Sequence, residues 1–123
     1  MTQEDKELLL KYLCMALPYN IYLKHKNYPK AKLKLICVFN DGRIGVEENC
    51  IQLTPTSIDE CKPYLRPMSS MTEEEHKEYE KWLPDSFNVD TFNWLLEHHF
   101  DFMGLIPKDL AIEVTEENNP YKE

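Results

Sequence analysis

Apolar residues change their spacing along the chain, and each change marks a new element. Leu8, Leu9, Tyr12, Leu13 and Ala16 recur at helical spacing, and Thr2 followed three residues on by Asp5 resembles a capping box with Asp in place of Glu. This pattern predicts a first helix that runs to about Ala16 and stops at Pro18. From Ile21 the period is two: Ile21, Leu23 and His25 share one face of a strand, and Tyr22, Lys24 and Lys26 share the other. Asn27 to Lys30, with Pro29, breaks this strand. Alternation resumes at Lys32, with Leu33, Leu35, Cys37 and Phe39 on one side. Ile36 and Val38 turn the second side apolar towards its end, which implies partial cover by a helix.

Asn40-Asp41-Gly42-Arg43 reads as a type I′ hairpin turn, because Asp-Gly supplies the positive φ angles it requires. Ile44 to Glu47 is the expected return strand, and Cys50 to Thr54 a short further strand ended by Pro55. Asp59 to Met68 contains Pro63 and Pro67, so it is expected to pair only as an edge strand or extended arm. Ser70 and Thr72 each stand three residues before a glutamate and open a second helix, which should end near Leu83 at Pro84. Asp90 caps a third helix, with Phe92, Leu95, Leu96 and His99 on one face, Trp94 on its flank and Gly104 at its end. Leu110 to Val114 reads as a last short strand, and residues 115–123 as an acidic, frayed tail. The expected fold class is α+β in one domain over residues 1–114: an N-terminal helix, a small curled antiparallel sheet, and two C-terminal helices packed on it. An SH3-like closure of Ile21 to Met68 fits the short strands and tight connections equally well.

A chain of 123 residues with 42% hydrophobic residues can bury a single core. No apolar run approaches the roughly 18 residues of a membrane span, and the acidic start Thr2-Gln3-Glu4-Asp5 lacks the basic region of a signal peptide, so the expected setting is cytoplasmic with no membrane partner. Cys14, Cys37, Cys50 and Cys61 show no clip spacing and are expected to be free thiols. The net charge of −8 is unevenly spread: residues 17–46 carry six cations against Asp41, and residues 72–101 carry nine acids against Lys77 and Lys81. Nucleic-acid contact would therefore have to come from the basic segment.

No pattern of catalytic chemistry emerges. Adjacent His98 and His99 on a helix point about 100° apart and do not chelate one ion, so neither a metal nor a cofactor is expected. No cysteine precedes a helix in a glycine-containing turn, and three glycines leave little for a phosphate cradle. Glu73-Glu74-Glu75 reads as a solvated first helical turn. The basic strands carry the best candidate surface, since Tyr22, Lys24, Lys26, Tyr28, Lys30, Lys32 and Lys34 interleave aromatic and cationic groups as single-strand nucleic-acid surfaces do. The plainer reading is an exposed face on which lysines block aggregation. Tyr64, Arg66, Trp82 and Trp94 are the further candidates, as anchors for a protein interface.

The segment from Cys61 through Pro67-Met68-Ser69-Ser70-Met71-Thr72 to Glu75, together with Phe92 to Asp101 and Gly104-Leu105-Ile106, resembles a group of short uncharacterised proteins of gut Bacteroides-type bacteria and their phages. With Leu17-Pro18-Tyr19, that resemblance covers most of the chain and implies a phage or prophage origin and an intracellular setting, but carries over no catalytic residue. The expected function is that of a non-catalytic accessory protein that binds and modulates a host or phage protein. Its alternatives are a nucleic-acid-binding module using residues 22–34 and an acidic DNA-mimic decoy using residues 72–101.

Overall fold

The computed structural model describes residues 2–48, 51–82 and 89–121; Cys50, Leu83, Pro84 and the side chain of Trp82 lie outside the described residues. The first helix, α1 (Gln3–Ala16), begins where the sequence places it. Thr2 Oγ1 accepts from the Asp5 N–H at 3.1 Å, and the Asp5 carboxylate accepts from the Thr2 N–H at 3.4 Å. This reciprocal box satisfies donors that a helix start leaves open. Pro18 falls in a 3-10 turn over Leu17–Tyr19, and Asn20, at φ 56°, directs the chain into the sheet.

Among the described residues six strands make the sheet: β1 (Tyr22–His25), β2 (Tyr28–Val38), β3 (Ile44–Glu48), β4 (Ile51–Thr56), β5 (Cys61–Leu65) and β6 (Ile112–Glu113). Between β5 and β6 in sequence come the helices α2 (Glu73–Trp82) and α3 (Val89–Glu97). The strand order is β4-β3-β2-β1-β5-β6, antiparallel except for the parallel β5–β6 pair. The sheet is open and the class is α+β, as expected; this order gives no support to the SH3-like alternative.

Leu23, Leu33, Leu35, Val46 and Leu65 alternate onto one face and bury against Leu9, Tyr12, Leu13 and Ala16 of α1. Each such aliphatic side chain contributes roughly 1.5–3 kcal/mol on burial. A second, smaller cluster joins Trp94, Leu95 and Phe100 to Met68, Met71 and Tyr79.

Several expectations are corrected. The break after β1 is only the two-residue turn Lys26-Asn27, since His25 already pairs with Tyr28. From His25↔Tyr28 to Leu23↔Leu33, β1 moves two residues while β2 moves five, so Pro29 sits where β2 bulges away and needs no N–H for the ladder. A second bulge lies between Leu35, opposite Val46, and Cys37, opposite Gly45. It moves Cys37 off the inner face and returns Val38 to the core, so the apolar run at Ile36 and Val38 reflects a bulge and not a covering helix. Gly45 is required there, because a Cβ would lie 2.6 Å from Cys37 Sγ.

The hairpin at Asp41 is a three-residue loop closed by Phe39 and Arg43, with Gly42 at φ 88°, in place of the expected type I′ turn. β4 continues through Pro55 to Thr56. β5, expected at an edge or as an arm, lies between β1 and β6, and β6 pairs only beyond Pro63, from Tyr64. Helix α3 ends at Glu97, seven residues before Gly104. His99 takes the left-handed position at φ 62°, with its N–H bonded to Leu96 O and that of Phe100 to Leu95 O. The tail is docked as far as Tyr121, not frayed from Thr115: Thr115 and Asn118 bond each other, and the Tyr121 ring stacks on His99 with centroids 3.6 Å apart.

Candidate functional site

Alternation leaves the second face of the sheet to polar groups. On β1, Tyr22 and Lys24 point away from α1; register sets Tyr22 opposite Lys34 of β2 and Lys24 opposite Lys62 of β5. Tyr64, two residues beyond Lys62, shares that face. Lys34 in turn faces Glu47 of β3, and Lys32 places its ammonium 5.0 Å from the centre of the Tyr22 ring. Among the described residues the hydrophobic clusters join no helix to this face; the tail from Glu117 to Tyr121 borders its Tyr22, Lys32 and Tyr64 end, and the side toward Lys24 and Lys62 is open.

The structure brings together four of the basic-strand candidates, Tyr22, Lys24, Lys32 and Lys34. Lys26 sits at the hairpin turn, beside Lys24 at the rim of a groove. Two further contributions to this surface are not evident along the basic segment. Lys62 and Tyr64 alternate with Cys61, Pro63 and Leu65, so their shared face is visible in the sequence, but nothing local says that β5 lies next to β1. Tyr121 is the second: its hydroxyl accepts from the Tyr22 N–H at 3.2 Å and donates to Tyr64 O at 2.8 Å, bridging the two strands. Its ring tilts against that of Tyr22 at 5.4 Å. Burial raises the Tyr121 phenol above its usual pKa, so the bridging proton stays in place at neutral pH.

Arg66 and Trp94 belong elsewhere. The Arg66 guanidinium lies 4.3 Å from the Phe100 ring centre and binds both Glu75 carboxylate oxygens, at 2.8 and 2.7 Å. Those bonds outweigh partial burial and hold the Glu75 carboxyl down at about 2. Trp94 is only 9% exposed; its ring stacks on Tyr79 and on Phe100, and its indole N–H donates to Glu78 at 3.0 Å. It is a core residue, which corrects its reading as an interface anchor. Trp82 as an anchor lies outside the described side chains.

Three carboxylates of the acidic helix have partners, of which only the Arg66 guanidinium on Glu75 carries a permanent charge. Glu75 is held by Arg66, Glu78 by Trp94 and Glu80 by His76 at 3.2 Å, which among the described residues leaves Glu73 and Glu74 as its open carboxylates. His98 and His99 turn apart, to Trp94 O at 2.9 Å and Tyr19 O at 3.0 Å. Among the described residues no group of three or more His, Cys, Asp or Glu side chains could hold a metal ion.

One buried polar cluster combines a histidine, a hydroxyl, a carboxylate and a thiol. His25 Nε2 lies 3.1 Å from Thr56 Oγ1 and 3.0 Å from Glu60 Oε2, and Nδ1 accepts from the Asn27 N–H at 3.1 Å. Because Nδ1 accepts, the ring proton sits on Nε2, and no lone pair remains to take a proton from the threonine. Cys61, opposite His25 in the ladder, has its thiol pushed up to about 12 by burial and then by the nearby Glu60 charge, so it is not a nucleophile at neutral pH. The cluster fastens the β1–β2 turn to the ends of β4 and β5.

No protein-family model matches the chain, and neither a curated protein nor a solved structure is significantly similar to it.

Proposed function

We propose that the chain is a non-catalytic binding protein that holds an acidic protein partner on the open face of its sheet. The observation that carries this reading is the gathering of Lys24, Lys32, Lys34 and Lys62 around Tyr22 and Tyr64 on a face without a covering helix, in a chain of net charge −8. A local basic surface on an acidic protein selects acidic partners by charge complementarity and speeds their encounter. The resemblance to proteins of Bacteroides-type bacteria and their phages adds the proposal that the partner is a host or phage protein, met in the cytoplasm.

The nucleic-acid alternative is less favoured by the state of the rings. Stacking of bases needs free aromatic faces, whereas Tyr22 is flanked by Lys32 and Tyr121, and Tyr28, 39% exposed, lies off the face beside the turn. The decoy reading is weakened by the internal partners of Glu75, Glu78 and Glu80.

The test is a variant with Lys24, Lys26, Lys32 and Lys34 all changed to Gln. It is expected to keep its circular dichroism and to lose the partner that the wild type captures from the native host. A folded, monomeric variant that keeps the partner eliminates this face; one that aggregates shows that the lysines guard the sheet against self-association. Oligonucleotide binding with steep salt dependence would revive the nucleic-acid reading.

A further inference from the structure

Lys24 and Lys62 stand directly opposite each other in the β1–β5 ladder. Like charges at such positions repel and weaken the pairing, so folding alone gives no reason for both. Beside them opens a groove of about 480 Å³, lined also by Lys26, Asp59, Glu60 and Ile112. Both carboxylates of the groove are engaged: Asp59 with Lys6 at 3.2 Å, and Glu60 with His25 at 3.0 Å and Lys26 at 3.8 Å. Lys62 reaches Asp109 at 2.9 Å, but that side chain is 88% exposed and screened by water. Lys24 has no ion-pair partner among the described residues.

We propose that this groove binds a phosphomonoester dianion between Lys24 and Lys62, with Lys26 at its rim. This deepens, and rests on, the reading of the open face as the docking surface: the partner presents a phosphorylated side chain there. Side chains from opposed ladder positions lie within reach of one ligand, and a dianion with three acceptor oxygens can balance both ammonium charges, displacing the exposed Asp109 from Lys62. A lone carboxylate balances one, and the groove contains no arginine fork to read a planar carboxylate at two points.

The test titrates the protein, at low salt, with orthophosphate, a short phosphoserine peptide and the same peptide carrying aspartate. Saturable binding of orthophosphate and the phosphopeptide is expected, with the aspartate peptide at least about tenfold weaker, and the affinity for both phosphates falling towards about pH 5 as each dianion takes up one proton and becomes a monoanion. Lys24→Gln and Lys62→Gln should each weaken it by about tenfold or more, whereas Lys11→Gln, exposed on α1 and outside the docking surface, should change it by less than about twofold. Phosphate should raise the thermal midpoint of the wild type more than that of Lys24→Gln, whose midpoint in phosphate-free buffer should equal or exceed that of the wild type because the repulsion across the ladder is relieved. Equal affinity for orthophosphate and the phosphopeptide keeps the site and assigns it to a free phosphorylated small molecule. Absence of saturation, or equal weakening by all three substitutions, overturns the site. Overturned in this way while the four-lysine variant still loses the partner, the site fails and the docking surface stands; phosphate binding with the partner retained by that variant overturns the docking surface instead.

Discussion

Leu23 and Lys24 are neighbours in β1, yet they serve different surfaces. Leu23 is fully buried against α1, among leucines and isoleucines that ask of one another only shape and volume. Lys24 meets Lys62 across the strands, an arrangement that shape does not explain and that burial does not reward. One face is therefore read through stability and the other through binding, and the same strands carry both because their side chains alternate.

Substitutions that separate these two demands sharpen the comparison. The largest effect is expected on the covered face: Leu35→Ala should destabilise by roughly 2–5 kcal/mol in denaturant titration, the range for truncating a buried leucine. A value under about 1 kcal/mol would break the assignment of the inner face.

Next in size is the Arg66–Glu75 pair, which lies apart from both faces. The folded-state pKa of Glu75 is depressed to about 2, so its contribution is complete above its unfolded value and is lost as pH falls through the folded one. The side chain is only 16% exposed, and the shift, shared with the Thr72 N–H and reduced by solvent screening, corresponds to a contribution of at most about 3 kcal/mol. Unfolding free energies measured from about pH 5 down to pH 2 should fall more steeply for the wild type than for Glu75→Gln. Parallel curves would deny the pair its role.

Between the faces sits Tyr121. Tyr121→Phe removes the hydroxyl that joins β1 to β5 and should cost roughly 1 kcal/mol, with the ring still packed on His99. Least affected should be the open face, where Lys34→Gln is expected to change stability by less than about 0.5 kcal/mol. A larger loss there would mean that the open face also holds the fold together.

Features written in local bonds are legible from the sequence. Thr2 with Asp5, and Thr72 with Glu75, form their caps within three residues, and the alternation of Leu33 and Leu35 with Lys32 and Lys34 marks which side is buried. Features that depend on distant neighbours are not. Whether Cys37 points in or out depends on its pairing with Gly45 after a bulge. The helix end at His99 is hidden because Gly104 is the easier residue at positive φ. His99 holds that position through its bond to Tyr19 and its stack on Tyr121, both far from it in sequence. The basic face is visible as far as Lys34, but its completion by Lys62 requires the β1–β5 pairing, and the burial of Trp94 requires Tyr79 and Phe100 on either side.

The bridge made by Tyr121 also gives the molecule a natural reporter. Most strand amides exchange their hydrogen with solvent only when neighbouring strands part. The Tyr22 amide instead bonds to a phenol oxygen carried by a segment ninety-nine residues away in sequence, so lifting that segment alone uncovers it. Its exchange rate therefore measures the free energy of detaching residues 115–121, separately from opening of the sheet, and Leu35 in the core supplies the global reference in the same spectrum.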